Sequence, residues 1–78
     1  MTEKTKLLSI GRELVENINY LQKTEEMTKV EGDMLANGYL LAVYSGEVQR
    51  FQNISQMILA KKSSETAKNT LALIMGQR

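Results

Sequence analysis

The feature that most constrains this chain is a seven-residue repeat through its middle. Met27, Val30, Met34, Asn37, Leu41, Tyr44, Val48, Phe51, Ser55 and Ile58 follow one another at alternating spacings of three and four. Eight of these ten positions are apolar or aromatic, and Asn37 and Ser55 occupy the two polar slots. That period belongs to a helix that packs on other helices at shallow angles. Proline is absent, so no hard helix breaker interrupts it. The repeat predicts an all-α chain built on one long central helix, from about Thr24 to Lys61.

The least polar part of that helix is Met34–Gly46, which carries no charge between Asp33 and Glu47. Within it Gly38, Ala42 and Gly46 stand at i, i+4 and i+8. On a helix they form a small-residue face about 12 Å long. Another backbone crossing there approaches more closely than the usual separation of about 8–10 Å. Three occupants fit the face: another helix of the same chain, a second copy, or a small ligand over the glycines with Tyr39 and Tyr44 supplying hydroxyls. A rival reading breaks the helix. Asn37-Gly38 is a C-cap signal, Ser45-Gly46-Glu47 an N-cap signal, and Tyr39–Tyr44 is rich in residues that favour strands. Val48, Phe51, Ile54, Ser55 and Ile58 keep the earlier phase, and such a strand has no partner, so the continuous helix is the better expectation.

Shorter helices flank it. Leu7, Ile10, Leu14, Ile18 and Leu21 form an apolar stripe widened by Leu8 and Val15, opposite Arg12, Glu13, Glu16 and Asn19. They predict an amphipathic helix over 3–23. Thr2 and Thr5 are its candidate N-caps, and Gly11 on the stripe's edge leaves room for close approach. Thr24 is then an N-cap for the central helix, with Glu25 and Glu26 at its positive end. Lys61 and Lys62 end that helix, and Ser63 or Ser64 caps a last one over 65–75, whose apolar face is Ala67, Leu71, Ile74 and Met75 and which stops at Gly76. The expected fold is three helices, about 3–23, 24–61 and 65–75, in a single helical domain over residues 1–78.

A chain of 78 residues buries only about 60% of its unfolded surface, so its own core is marginal. With no Cys and no His, disulfides and the common zinc ligand sets are missing. Association with another chain is the remaining source of stability. Charge is split unevenly. Residues 1–39 carry five Lys/Arg and seven Asp/Glu, a net −2, and residues 40–78 carry five and two, a net +3. Folding back on itself, or pairing head to tail, brings the halves into favourable register.

The same inventory argues against several function classes. Without His or Cys, the commonest general base and the best thiol nucleophile are gone. The close acidic pairs Glu25/Glu26 and Glu31/Asp33 diverge around a helix and read as solvated surface. No glycine-rich phosphate loop is present. Overall charge is only +1, and no helix carries a dense row of Arg and Lys, which disfavours nucleic acid. The longest uncharged run is too short to span a membrane and the polar faces mix charge signs. No signal peptide is visible, so the cytoplasm of a cell, or of an infected host cell, is the default location.

What is left is a small non-enzymatic interaction protein. It would oligomerise and present a helical surface to a protein partner, as an inhibitor, adaptor or assembly chaperone does. Its expected oligomer interface is Met34, Gly38, Leu41, Ala42, Ser45 and Gly46. A second expectation is an oligomer that holds a small anionic ligand, such as a nucleotide, between subunits. Tyr39, Tyr44, Arg50, Lys61 and Lys62 would then be the ligand or partner contacts. A third is an accessory nucleic-acid binder. No cofactor and no metal is expected, and no motif ties the chain to a family.

Overall fold

The apolar stripe of the first segment forms α1, Glu3–Lys23, and Leu7, Ile10, Leu14, Ile18 and Leu21 are all buried. The computed structural model describes residues 3–76, so Thr2 lies outside the described residues; Thr5 lies inside α1 rather than at its cap. Beyond Lys23 the chain turns tightly. The Thr24 N–H donates to the Tyr20 carbonyl, and the Glu26 and Met27 N–H groups both donate to the Leu21 carbonyl. Glu25 takes the left-handed conformation, φ 63°.

Thr24 therefore closes α1 and does not open the next helix. The N-cap is Thr28, whose side chain accepts from the Glu31 N–H while the Glu31 carboxylate accepts from the Thr28 N–H. This reciprocal capping box starts α2, Lys29–Ser45. Thr24 lacks an acidic residue three positions on, whereas Thr28 has Glu31 there, and that difference places the cap at Thr28.

The expected long central helix is two helices. Gly46 sits at φ 73°, ψ 14°, and its N–H donates to the Ala42 carbonyl. A left-handed residue ends a helix, and glycine adopts it without the Cβ clash that other residues suffer. α3 then runs Val48–Leu59, and α4 runs Glu65–Met75 from the expected Ser64 cap, whose hydroxyl accepts from the Ala67 N–H. Four helices replace the three expected. The chain breaks at Ser45-Gly46 and not at Asn37-Gly38, and Tyr39–Tyr44 is helical throughout.

The four helices close a ring. α1 packs on α2 and α4, α2 on α3, and α3 on α4. Its core is aliphatic around one aromatic: Leu7, Leu14 and Leu21 from α1, Leu35 from α2, Phe51 and Leu59 from α3, Ile74 from α4. Burying each such side chain contributes about 1.5–3 kcal/mol. Two buried hydroxyls, Ser55 and Thr70, donate to the Phe51 and Thr66 carbonyls at 2.8 and 2.7 Å, so neither is left unsatisfied. The radius of gyration, 11.4 Å, matches the roughly 11.5 Å of a compact chain this long.

The bend at Gly46 also resets the repeat. In α3 the expected positions face inward, with Phe51, Ser55 and Ile58 buried. In α2 the inward face is Gly32, Leu35, Gly38, Ala42 and Val43, one position out of phase with the repeat. Val30, Asn37 and Tyr44 are exposed, and Met34 and Leu41 are half-buried.

Candidate interaction surface

The small-residue face is occupied by the same chain. A Cβ on Gly38 would stand 3.2 Å from Phe51 Cδ1 and 3.5 Å from Ile54 Cδ1, both on α3. Ala42 is buried beside it. Gly46 is the turn itself and meets nothing within 4 Å, and Ser45 is exposed. Of the expected interface, only Met34, Leu41 and Ser45 retain a side chain at the surface.

Nor do the expected ligand contacts converge. Tyr39 turns inward: its hydroxyl donates to the Leu7 carbonyl at 3.0 Å, and its ring meets Phe51 edge-on, centroids 5.9 Å apart. Burial, with a smaller contribution from Tyr44, raises its pKa above the usual tyrosine value. Tyr44 points to solvent from the far end of α2. Arg50, exposed in the first turn of α3, pairs with the half-buried N-cap residue Glu47 at 3.4 Å. Lys61 is exposed beyond the other end of that helix, roughly 16 Å of helical rise away.

Lys62 has a structural task. Its Nζ donates to the Glu26 carbonyl at 2.7 Å and to Glu31 Oε1 at 3.1 Å. The Ser64 N–H donates to Glu26 Oε1 at 3.1 Å. This clasp ties the α1–α2 turn to the α3–α4 turn. Hydrogen bonding from Ser64 is the largest cause that lowers the Glu26 pKa, and the Thr28 N–H plays that part for Glu31. Asp33 pairs with Lys29 at 3.5 Å. Among the described residues no group of three or more acidic side chains is placed to hold a metal ion, and no helix is long and apolar enough to cross a membrane.

Two surfaces stand out that are not evident from the sequence. The first is the outer face of α2. Val30, Met34, Asn37, Leu41 and Tyr44 follow one another at spacings of four and three, yet among the described residues Val30, Asn37 and Tyr44 stay exposed and Met34 and Leu41 are only half-buried. Val30 is 67% exposed and Tyr44 78%. The spacing was legible; its outward direction was not. The second is a groove of about 380 Å³ between α3 and α4, lined by Leu59, Leu71, Ala72 and Met75 with Lys62 and Lys68. It joins residues far apart in sequence, so no local signal announces it. A third depression, between α1 and α4, is polar and holds Glu13, Glu16, Thr66 and Asn69.

Compared with known protein families, with curated proteins and with solved structures, the chain matches none.

Proposed function

We propose that this chain is a non-enzymatic interaction protein that self-associates and presents a helical surface to a macromolecular partner, as an inhibitor, adaptor or assembly chaperone of the cytoplasm does. The observation that carries this reading is the outer face of α2. It has the spacing of a helix–helix seam, and its members are apolar except for a central Asn37. A seam with one polar position is the arrangement by which paired helices fix register at some cost in stability. Large apolar side chains left in water at such spacing mark an association surface. From Met34 to Tyr44 the stripe is also free of like charges that a symmetric crossing would bring together, since no charge lies between Asp33 and Glu47, and Asp33 flanks only its Val30 end.

The anionic-ligand reading has less support, because Tyr39 and Lys62 are committed within the chain and Arg50 stands apart from Lys61. Sedimentation equilibrium at tens of micromolar tests the proposal. The expected result is a dimer or larger, reduced to monomer by Val30→Lys with Tyr44→Lys, both at exposed positions. A clean monomer of the unmodified chain removes self-association. An unchanged mass in the double variant removes its placement on α2.

A further inference from the structure

We infer that the α3–α4 groove is a docking site for an acidic amphipathic helix of a partner protein. The inference rests on the reading of the chain as an interaction protein and names where, and by what chemistry, the partner seats. The groove floor is apolar, formed by Leu59, Leu71, Ala72 and Met75. It is open to solvent rather than an enclosed cavity. A small apolar ligand needs most of its surface covered, about 70–90%, which an open groove does not give. A helix laid between two helices needs only one face covered, with anchors at i, i+3 or i+4 and i+7. From Lys68 to Met75 the groove wall spans two turns of α4, about 10 Å, enough for two or three such anchors.

Charge selects the partner. Among the described residues no carboxylate lines the groove. Lys62 contributes its methylene stem, since its ammonium is held by Glu31 and the Glu26 carbonyl. The Lys68 ammonium makes no ion pair among the described residues. Arg50 and Lys62 are committed to Glu47 and Glu31, which leaves Lys61, next to Ala60 and Lys62 of the groove wall, and Lys68 as two exposed cations without an ion pair among the described residues, against one anion, Glu65. Lys68 stands in the first turns of α4, whose N-terminal end also favours negative charge. The partner's carboxylates therefore meet the Lys68 end, and its apolar anchors lie toward Met75.

The test is an NMR titration of the isotope-labelled full chain with a designed peptide of about 18 residues, long enough to hold a helix. Its one face is leucine at i, i+4 and i+7, and its other face is glutamate; a lysine-faced counterpart is the control. Expected are saturable shifts at Leu59, Leu71, Ala72 and Met75 with the glutamate peptide and weaker binding of the lysine peptide. Ala72→Glu, at an exposed position, is expected to weaken the glutamate peptide at least about tenfold, with the thermal melt unchanged. Lys68→Glu is expected to invert the preference between the two peptides. Equal binding of both peptides, or no shifts at hundreds of micromolar, overturns the inference. So does saturable binding of decanoate in the groove with no peptide binding, which makes it a small-amphiphile site. Shifts confined to Val30, Asn37 and Tyr44 overturn the groove while leaving the interaction reading in place. No shifts anywhere, together with monomeric sedimentation, removes both.

Discussion

The Tyr39 hydroxyl, on α2, donates a 3.0 Å hydrogen bond to the Leu7 backbone carbonyl on α1. The ring reaches that carbonyl across Gly11, where any Cβ would collide with the hydroxyl. Tyr39 thus crosses from one helix to the next and then packs edge-on against Phe51 of α3, so one side chain joins three of the four helices. Tyr39→Phe keeps the packing and removes the bond. It is expected to cost about 1 kcal/mol in urea unfolding.

The same residue sets the alkaline limit. Burial raises its pKa in the fold above the usual tyrosine value of about 10, so the stabilisation is present below that pH and is lost as pH rises through the folded value. Thermal melts of the unmodified chain are expected to fall above pH about 10 more steeply than those of Tyr39→Phe. Parallel alkaline slopes would refute this assignment.

At the acid end the sign reverses. Glu26 and Glu31 have pKa values lowered from 4.5, so their contribution is present above that value and is lost as pH falls through the folded values. The melting temperature is expected to drop below pH about 4.5, and Glu31→Gln should flatten that decline. Lys62→Met, which opens the clasp at its half-buried cation, should cost about 1 kcal/mol at neutral pH.

Gly46→Ala tests the bend. If α2 and α3 were poised to fuse, alanine would lengthen the helix and raise stability. Because residue 46 must stay left-handed, φ 73°, the expected outcome is a loss of about 1–2 kcal/mol with no gain in helical circular dichroism.

Gly38→Leu is expected to destabilise the chain itself by about 1–3 kcal/mol, since Phe51 already stands at contact distance. A variant that kept full stability but lost mass in sedimentation would return Gly38 to an interface between copies.

Glu25→Gly should do the opposite. A non-glycine side chain at φ 63° carries a left-handed penalty of about 1–2 kcal/mol, part of which glycine's greater freedom in the unfolded state offsets. A gain of about 0.5 kcal/mol in urea unfolding is expected, and a loss would show that the Glu25 side chain contributes contacts of its own.

The all-helical class, α1, and α4 with its Ser64 cap were legible because each rests on local signals: a buried stripe of period 3.6, a capping hydroxyl, a following acid. The capping box at Thr28 and Glu31 is a local signal of the same kind, stronger than the lone hydroxyl of Thr24. The candidate site was less so. Its residues were chosen as one face of a straight helix, and the helix is not straight. Once Gly46 turns the chain back, Phe51 and Ile54 fill the Gly38–Ala42 face, and Tyr39 is drawn to Leu7.

Composition and period by themselves determined that this chain is helical, aliphatic at its core and without His or Cys, because those properties reside in residue types and in spacings shorter than two turns. Direction was decided by tertiary structure alone. α2 is apolar nearly all round, so its sequence permits Leu35, Ala42 and Val43, or Val30, Leu41 and Tyr44, to face the core. Packing against α1 and α3 chose the first set, with small residues at Gly32, Gly38 and Ala42 admitting the neighbouring helices, and left Val30 and Tyr44 in water and Leu41 half-covered. The Glu31–Lys62 clasp and the α3–α4 groove likewise exist only after the ring closes, since each joins residues that no local pattern relates.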